Sequence, residues 1–146
     1  MHCLHGLAFL AFFGCMCTVE AFRVQGVAAK GRLKCNGRPL VDALVSIYDK
    51  DRFPFDSDEL LDQELTDEIG AFFLDGTTRE LTNIEPELRI VHNCTNGGEP
   101  HCRRYLVVPI DSYFIHSGDA EVVYDFGVQD LSINGGEMRC RSHGLK

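Results

Sequence analysis

Val24-Gln25-Gly26-Val27-Ala28-Ala29-Lys30-Gly31-Arg32-Leu33-Lys34-Cys35-Asn36-Gly37, followed by Val41-Asp42-Ala43-Leu44-Val45-Ser46-Ile47, decides the fold class. In the first stretch Val27, Ala29, Leu33 and Cys35 share one parity, and Lys30, Arg32 and Lys34 share the other. That period of two belongs to a half-buried strand, because successive side chains of an extended chain point to opposite faces. Asn36-Gly37 supplies residues that tolerate positive φ, and Val41, Ala43, Val45 and Ile47 resume the alternation, so the chain is expected to turn back on itself there.

The same signature recurs downstream. Leu88, Ile90, His92 and Cys94 lie on one face of a strand, and Cys102, Arg104, Leu106, Val108 and Ile110 on one face of the next. Glu64–Asp67, the turn Glu68-Ile69-Gly70 and Ala71–Thr77 read as a second hairpin with Phe72 and Leu74 on one face. Val122, Tyr124, Phe126 and Val128 mark another strand, and Asn134-Gly135-Gly136 turns the chain before Cys140. Between Asp49 and Glu68 the sequence is acidic and contains Phe53-Pro54-Phe55, which fits a long exposed loop with a short helical turn around Asp58 to Leu61. About seven short strands with no long amphipathic helix predict an all-β fold, an antiparallel two-sheet sandwich. No linker, internal repeat or low-complexity segment divides it, so residues 22–146 read as one domain.

The 146 residues are 45% hydrophobic and 25% charged, an ordinary globular composition. Leu7–Met16 is an apolar run too short to cross a bilayer, and Val19-Glu20-Ala21 places modest side chains where a signal peptidase accepts them. Residues 1–21 therefore read as a signal peptide cleaved after Ala21, with an n-region whose positive charge is limited to the α-amino group, His2 and His5. The expected location is secreted, extracellular or at a cell surface. Residues 1–21 hold no Lys or Arg and one acid, Glu20, so 14 basic residues then face 21 acidic ones, a net charge of −7. That balance disfavours nucleic acid and simple electrostatic attraction to anionic membranes.

Cleavage removes Cys3, Cys15 and Cys17 and leaves Cys35, Cys94, Cys102 and Cys140, an even number suited to two disulfides in an oxidising compartment. Four cysteines allow three pairings. Strand geometry favours Cys94 with Cys102, across the neck of one hairpin, and Cys35 with Cys140. Asn93-Cys94-Thr95 is a glycosylation sequon at the edge of a predicted loop.

Gly31-Arg32-Leu33-Lys34-Cys35-Asn36-Gly37-Arg38-Pro39, Tyr48-Asp49-Lys50-Asp51, Thr66-Asp67-Glu68-Ile69-Gly70-Ala71-Phe72, Leu88-Arg89-Ile90-Val91-His92-Asn93-Cys94 and Gly136-Glu137-Met138-Arg139-Cys140 together resemble the nematode transthyretin-like family. The resemblance spans almost all of residues 22–146. It implies a secreted, transthyretin-like (prealbumin-like) two-sheet sandwich, and leaves the ligand unassigned, since fold does not supply it. The Tyr-Arg-Gly-Ser terminus of the related hydroxyisourate hydrolases is replaced here by Glu137 to Lys146, so that hydrolysis is not expected.

His92, Cys94, His101 and Cys102 can be drawn as a zinc set, but they contain no Cys-x-x-Cys pair, and nearby cysteines in an oxidising compartment form disulfides. His92, on the inward parity, is expected to be a hydrogen-bonded core residue. Asp49, Asp51, Asp56, Asp58, Glu59, Asp62 and Glu64 offer oxygens to calcium, yet the Asp-x-Asp at 49 and 51 is followed by Pro54 where an EF-hand needs glycine. A solvated acidic surface is the simpler reading. No metal, no cofactor and no catalytic residue is expected, because no nucleophile elbow, Walker loop or His-Glu-x-x-His occurs.

The expected function is a recognition module for a protein or cell-surface partner, with loops 52–62 and 95–101 as the binding surfaces. The nominated residues are Arg52, Phe53, Phe55, Asp56, Asp58, Asn96, Glu99 and His101. The alternatives are a carrier of a small apolar ligand in an oligomeric channel, and recognition of anionic lipid with calcium bridging the like charges.

Overall fold

The computed structural model describes residues 22–50, 57–118 and 120–141. The predicted signal segment and the loop residues Arg52, Phe53, Phe55 and Asp56 lie outside the described residues.

Alternation in β1 (Arg23–Cys35) becomes burial: Val27, Ala29 and Leu33 are wholly enclosed, while Lys30 and Arg32 are exposed. This long strand pairs antiparallel with β5 (Ala71–Glu80) and the two-residue β2 (Arg38–Pro39), and parallel with β8 (Val123–Asp130). The second sheet has the order β4-β3-β6-β7-β9, built from β4 (Glu59–Leu65), β3 (Leu44–Asp49), β6 (Pro86–His92), β7 (Cys102–Pro109) and β9 (Glu137–Cys140), all antiparallel. Val27, Ala29, Leu33, Phe72 and Leu74 of one sheet pack against Val45, Ile47, Leu88 and Ile90 of the other, with Leu40, Ile110 and Leu131 closing the ends. Each buried Leu, Ile or Val contributes roughly 1.5–3 kcal/mol, so this face-to-face layer supplies most of the stability. The all-β sandwich is as expected, with seven strands of at least six residues among the described residues.

Several local expectations change. The segment Asp58 to Leu61 is not a helical turn, for β4 begins at Glu59. The cause lies in its acids. Glu64 accepts a hydrogen bond from the Phe73 N–H, Asp62 accepts one from the Asp75 N–H at 2.9 Å, and Glu59 accepts one from the Thr78 hydroxyl at 2.9 Å. These carboxylates satisfy donors along the edge of β5, which would otherwise template pairing with another chain. A Cβ at Gly76 would sit 2.6 Å from the Leu61 side chain, so glycine is what lets β4 approach β5 this closely.

The expected hairpin 64–77 is instead a crossing between sheets. Its turn is bound to β1 at Leu33, whose N–H donates to the Gly70 carbonyl at 2.8 Å. Gly70 has φ +75°, and a Cβ there would lie 2.2 Å from the Leu33 carbonyl oxygen. The strand expected from Val41 starts at Leu44, because Asp42 takes φ +59° and the buried Thr66 hydroxyl accepts from the Ala43 N–H while donating to the Leu40 carbonyl. The parallel pairing of β8 with β1 departs from a purely antiparallel sandwich. The chain leaves β1, passes through strands of the second sheet and returns to the first at β8, so β1 and β8 are joined by a long crossover rather than a hairpin, as parallel neighbours require.

The disulfides also differ from expectation. Cys35 pairs with Cys94, and Cys102 pairs with Cys140. Cys94 leaves the end of β6 on its core-facing parity, where β1 of the opposite sheet brings Cys35. Thr95, at φ +53°, and the following glycines then carry the chain away. Cys102 faces Cys140 across β7 and β9, and the Arg141 N–H donates to the His101 carbonyl beside them. This marks a non-hydrogen-bonded facing pair, the closer of the two antiparallel pair types.

Candidate functional site

The described flanks of the first nominated loop, Asp49 and Glu59, which face each other across β3 and β4, stand at the opposite end of the sandwich from residues 95–101. Asp49 is the register partner of Pro86, and Pro109 that of Glu87, at one end of the second sheet, whereas the β6–β7 connection, residues 93–101, leaves the other end. A seven-residue strand, roughly 20 Å of extended chain, separates them, so they cannot form one site.

At the end holding residues 93–101, side chains are spent on holding the chain. The Asn96 amide donates to the Glu99 carbonyl at 3.0 Å and accepts from the Gly98 N–H at 3.1 Å, so it braces its own loop. Glu99 and His101 are exposed. His92 is 3% exposed, its Nδ1 accepting from the Cys94 N–H at 3.1 Å, so Nε2 carries the proton and donates to the Gly135 carbonyl at 2.8 Å. Burial pushes its pKa below the ordinary value, with the Arg104 charge adding to the effect and the Gly135 carbonyl opposing it. His92, Cys94, His101 and Cys102 are thus no metal set: the two sulfurs are in separate disulfides and both His92 nitrogens are occupied.

Asp130 anchors the turn after β1. Its carboxylate accepts from the Ser132 hydroxyl at 2.6 Å and from the N–H groups of Ser132, Gly37 and Asn36. Those bonds, Ser132 foremost, hold its pKa down at about 2.

At the opposite end, the connections between strands enclose an open cleft of about 950 Å³, lined among others by Asp49, Glu80, Asn83, Ile84, Glu85 and Ile110. Both sheets brace it. From β1, Gln25, 4% exposed, donates to the Thr82 carbonyl at 2.6 Å and accepts from the Ile84 N–H at 3.4 Å. From β3, the Asp49 carboxylate, 6% exposed, accepts from the Glu85 N–H at 2.7 Å, and the Lys50 N–H donates to the Glu85 carbonyl at 3.1 Å. Arg23 reaches the Asn83 side chain at 2.9 Å, and the Ile110 N–H donates to the Pro86 carbonyl at 2.8 Å.

Beside the cleft, Asp58 is ion-paired to Arg89, whose guanidinium also bonds Glu87 and lies 4.1 Å over the Tyr48 ring. Burial lowers the Arg89 pKa, but the hydrogen bonds and charges of Asp58 and Glu87 outweigh it and raise the net value. Asp58 therefore belongs to a structural ion cluster rather than to a free binding loop.

From the sequence Asp49 stands out only as one oxygen donor in a possible calcium run and Gln25 not at all, although a signal existed. Gln25 and Asp49 are polar residues on the inward parity of β1 and β3, where a strand otherwise places apolar ones.

With cleft, braces and disulfides in place, comparison with known proteins becomes informative. Residues 30–111 match the TTR-52 transthyretin-like family. The chain belongs to the transthyretin-like family. Transthyretin-like protein 33 of Caenorhabditis elegans is 36% identical over 123 residues, covering 84% of this chain and 85% of the relative. Transthyretin-like protein 5 of the same organism is 37% identical over 108 residues, 74% of this chain and 77% of that one. Transthyretin-like protein 16, also from Caenorhabditis elegans, is 33% identical over 128 residues, 86% of this chain and 91% of the relative. The transthyretin-like match contains Cys35, Cys94, Cys102 and most of the cleft lining, while Gln25 and Cys140 fall outside its bounds.

Proposed function

We propose that this transthyretin-like chain is a secreted recognition module that holds a protein or cell-surface partner at its cleft end, without a cofactor and without catalysing a reaction. The observation that carries this reading is the cleft itself, whose wall at residues 82–85 is fixed in advance by Gln25 from one sheet and Asp49 from the other. A pre-arranged binding surface loses little freedom on association, which favours affinity. Among the described lining residues Asp49, Glu80, Glu85 and Glu87 outnumber Lys50, so a partner presenting basic side chains is the complementary one. Two disulfides support an oxidising, extracellular setting.

The test is mild crosslinking of the secreted protein to cell surfaces, with the captured partner identified and then purified. Asn83→Arg and Glu80→Lys, both in the cleft, are expected to abolish capture while the protein stays folded, with only a small drop in melting temperature from the lost Arg23–Asn83 bond. Glu99→Ala with His101→Ala, at the far end, is expected to leave capture intact. The opposite pattern, loss at the far end and none at the cleft, would falsify the assignment.

A further inference from the structure

We propose that Asn93 carries an N-linked glycan, at the disulfide-bridged end of the sandwich and away from the cleft. This rests on the secretion reading above. The sequon Asn93-Cys94-Thr95 is where β6 ends and the chain turns: β6 stops at His92, and Thr95 adopts φ +53°. Burial alternates across it. His92 and Cys94 are 3% and 2% exposed, whereas Asn93 and Thr95 are open to solvent. The acceptor and its hydroxyl residue thus face outward while the residue between them is tied to Cys35. The Asn93 main chain is already engaged, its carbonyl accepting from the Asn96 N–H at 3.3 Å, so an attached sugar need not disturb the turn.

The chemistry is that of the secretory pathway. The Asn93 Nδ2 attacks the anomeric carbon of an oligosaccharide held on a polyprenyl diphosphate. The new N–C bond replaces the C–O bond to the diphosphate, which leaves with its lipid, and the amide nitrogen gives up one proton. Transfer has to precede docking of Cys94 against Cys35, because the sequon is later fixed at both its middle residue and its turn. In the folded protein the glycan would extend from the end opposite the cleft, shielding residues around 93–101 and leaving the recognition end open.

The test is expression of the full chain in a secreting animal cell line, followed by digestion with an amidase specific for N-linked glycans. A single increase in electrophoretic mobility on digestion is expected, lost in Asn93→Gln and in Thr95→Ala and kept in Thr95→Ser, with partner capture the same for the wild type and Asn93→Gln. Secreted, disulfide-bonded protein that shows no shift overturns the proposal. The same full chain is also expressed behind an established secretory leader. If only that form is released, the secretion reading fails, and the presence or absence of a shift on that form still decides the glycan.

Discussion

The two ends of this sandwich are held by different means. One is stapled by Cys35–Cys94 between the sheets and Cys102–Cys140 within one sheet, with Asp130 and His92 filling the spaces beside them. The other has no covalent tie among the described residues and is braced by buried polar side chains, Gln25 and Asp49, that reach main-chain groups of residues 82–85. Covalent closure acts on the unfolded chain by reducing its freedom. Hydrogen bonding of buried groups acts on the folded state and is costly when broken. The difference teaches that the cleft end, whose polar braces have no disulfide beside them among the described residues, is the one that single substitutions reshape without unfolding the domain.

The largest expected effect breaks the stapled end. Cys35→Ala with Cys94→Ala opens a closure of 59 residues, and Cys102→Ala with Cys140→Ala one of 38. Each pair removed should cost about 4 kcal/mol in the chain-entropy description, read as a lower denaturant midpoint with a steeper slope, because the unfolded chain without the bridge exposes more surface. The bridges are thus nearly equal in weight, where the pairing expected from local geometry made one long and one short. A loss under about 1 kcal/mol for either pair would show that the staples are ornaments on an already sufficient core.

Next comes the braced end. Gln25→Ala strands the Thr82 carbonyl and the Ile84 N–H, an expected cost of about 1–3 kcal/mol. Amide exchange should accelerate at residues 82–85 and stay unchanged at residues 93–101. The matching change at the other end, Asn96→Ala, removes bonds around an exposed loop and should cost less, about 1 kcal/mol or under. Equal losses would erase the contrast.

The smallest effect is in pH, and it belongs to the stapled end. The folded protein keeps His92 neutral because burial lowers its pKa, so the unfolded chain binds more protons once pH falls below the ordinary 6.5. The His92 contribution is therefore present above that value and lost as pH falls through the folded one. Amide protection in residues 131–136, taken relative to the intrinsic exchange rate at each pH, should fall on acidification from pH 7.5 to 5.5 while that of residues 82–85 holds, and His92→Gln should flatten the response. Asp130 acts in a separate window, its contribution present above its ordinary 3.8 and lost only as pH falls through about 2. A pH response centred on residues 82–85 would reverse the roles of the two ends.

Much of the fold was legible because alternation is a local property. Val27, Ala29 and Leu33, then Leu88 and Ile90, announce which face is buried wherever the strands come to lie. Little of the candidate site was legible. Gln25 and Asp49 carry a faint signal, polar residues on an inward parity, but the groups they reach are 57 and 36 residues away, and nothing near them in sequence names those partners. The acids of β4 misled for a similar reason: Glu59, Asp62 and Glu64 read as a solvated run until β5 is brought beside them.

By itself the sequence determined an all-β sandwich, the inward face of each main strand and the turn at Asn36-Gly37, since each follows from side-chain direction and backbone freedom within a few residues. Only the tertiary structure decided which cysteines meet, that β8 lies parallel to β1, and that the cleft stands at the end of the sandwich opposite residues 93–101. Those outcomes depend on which distant strands become neighbours. Cys94 and Cys102 share a face of one hairpin, yet each finds a better-placed sulfur on a strand from elsewhere in the chain, and that choice is made by packing of the two sheets rather than by any local pattern.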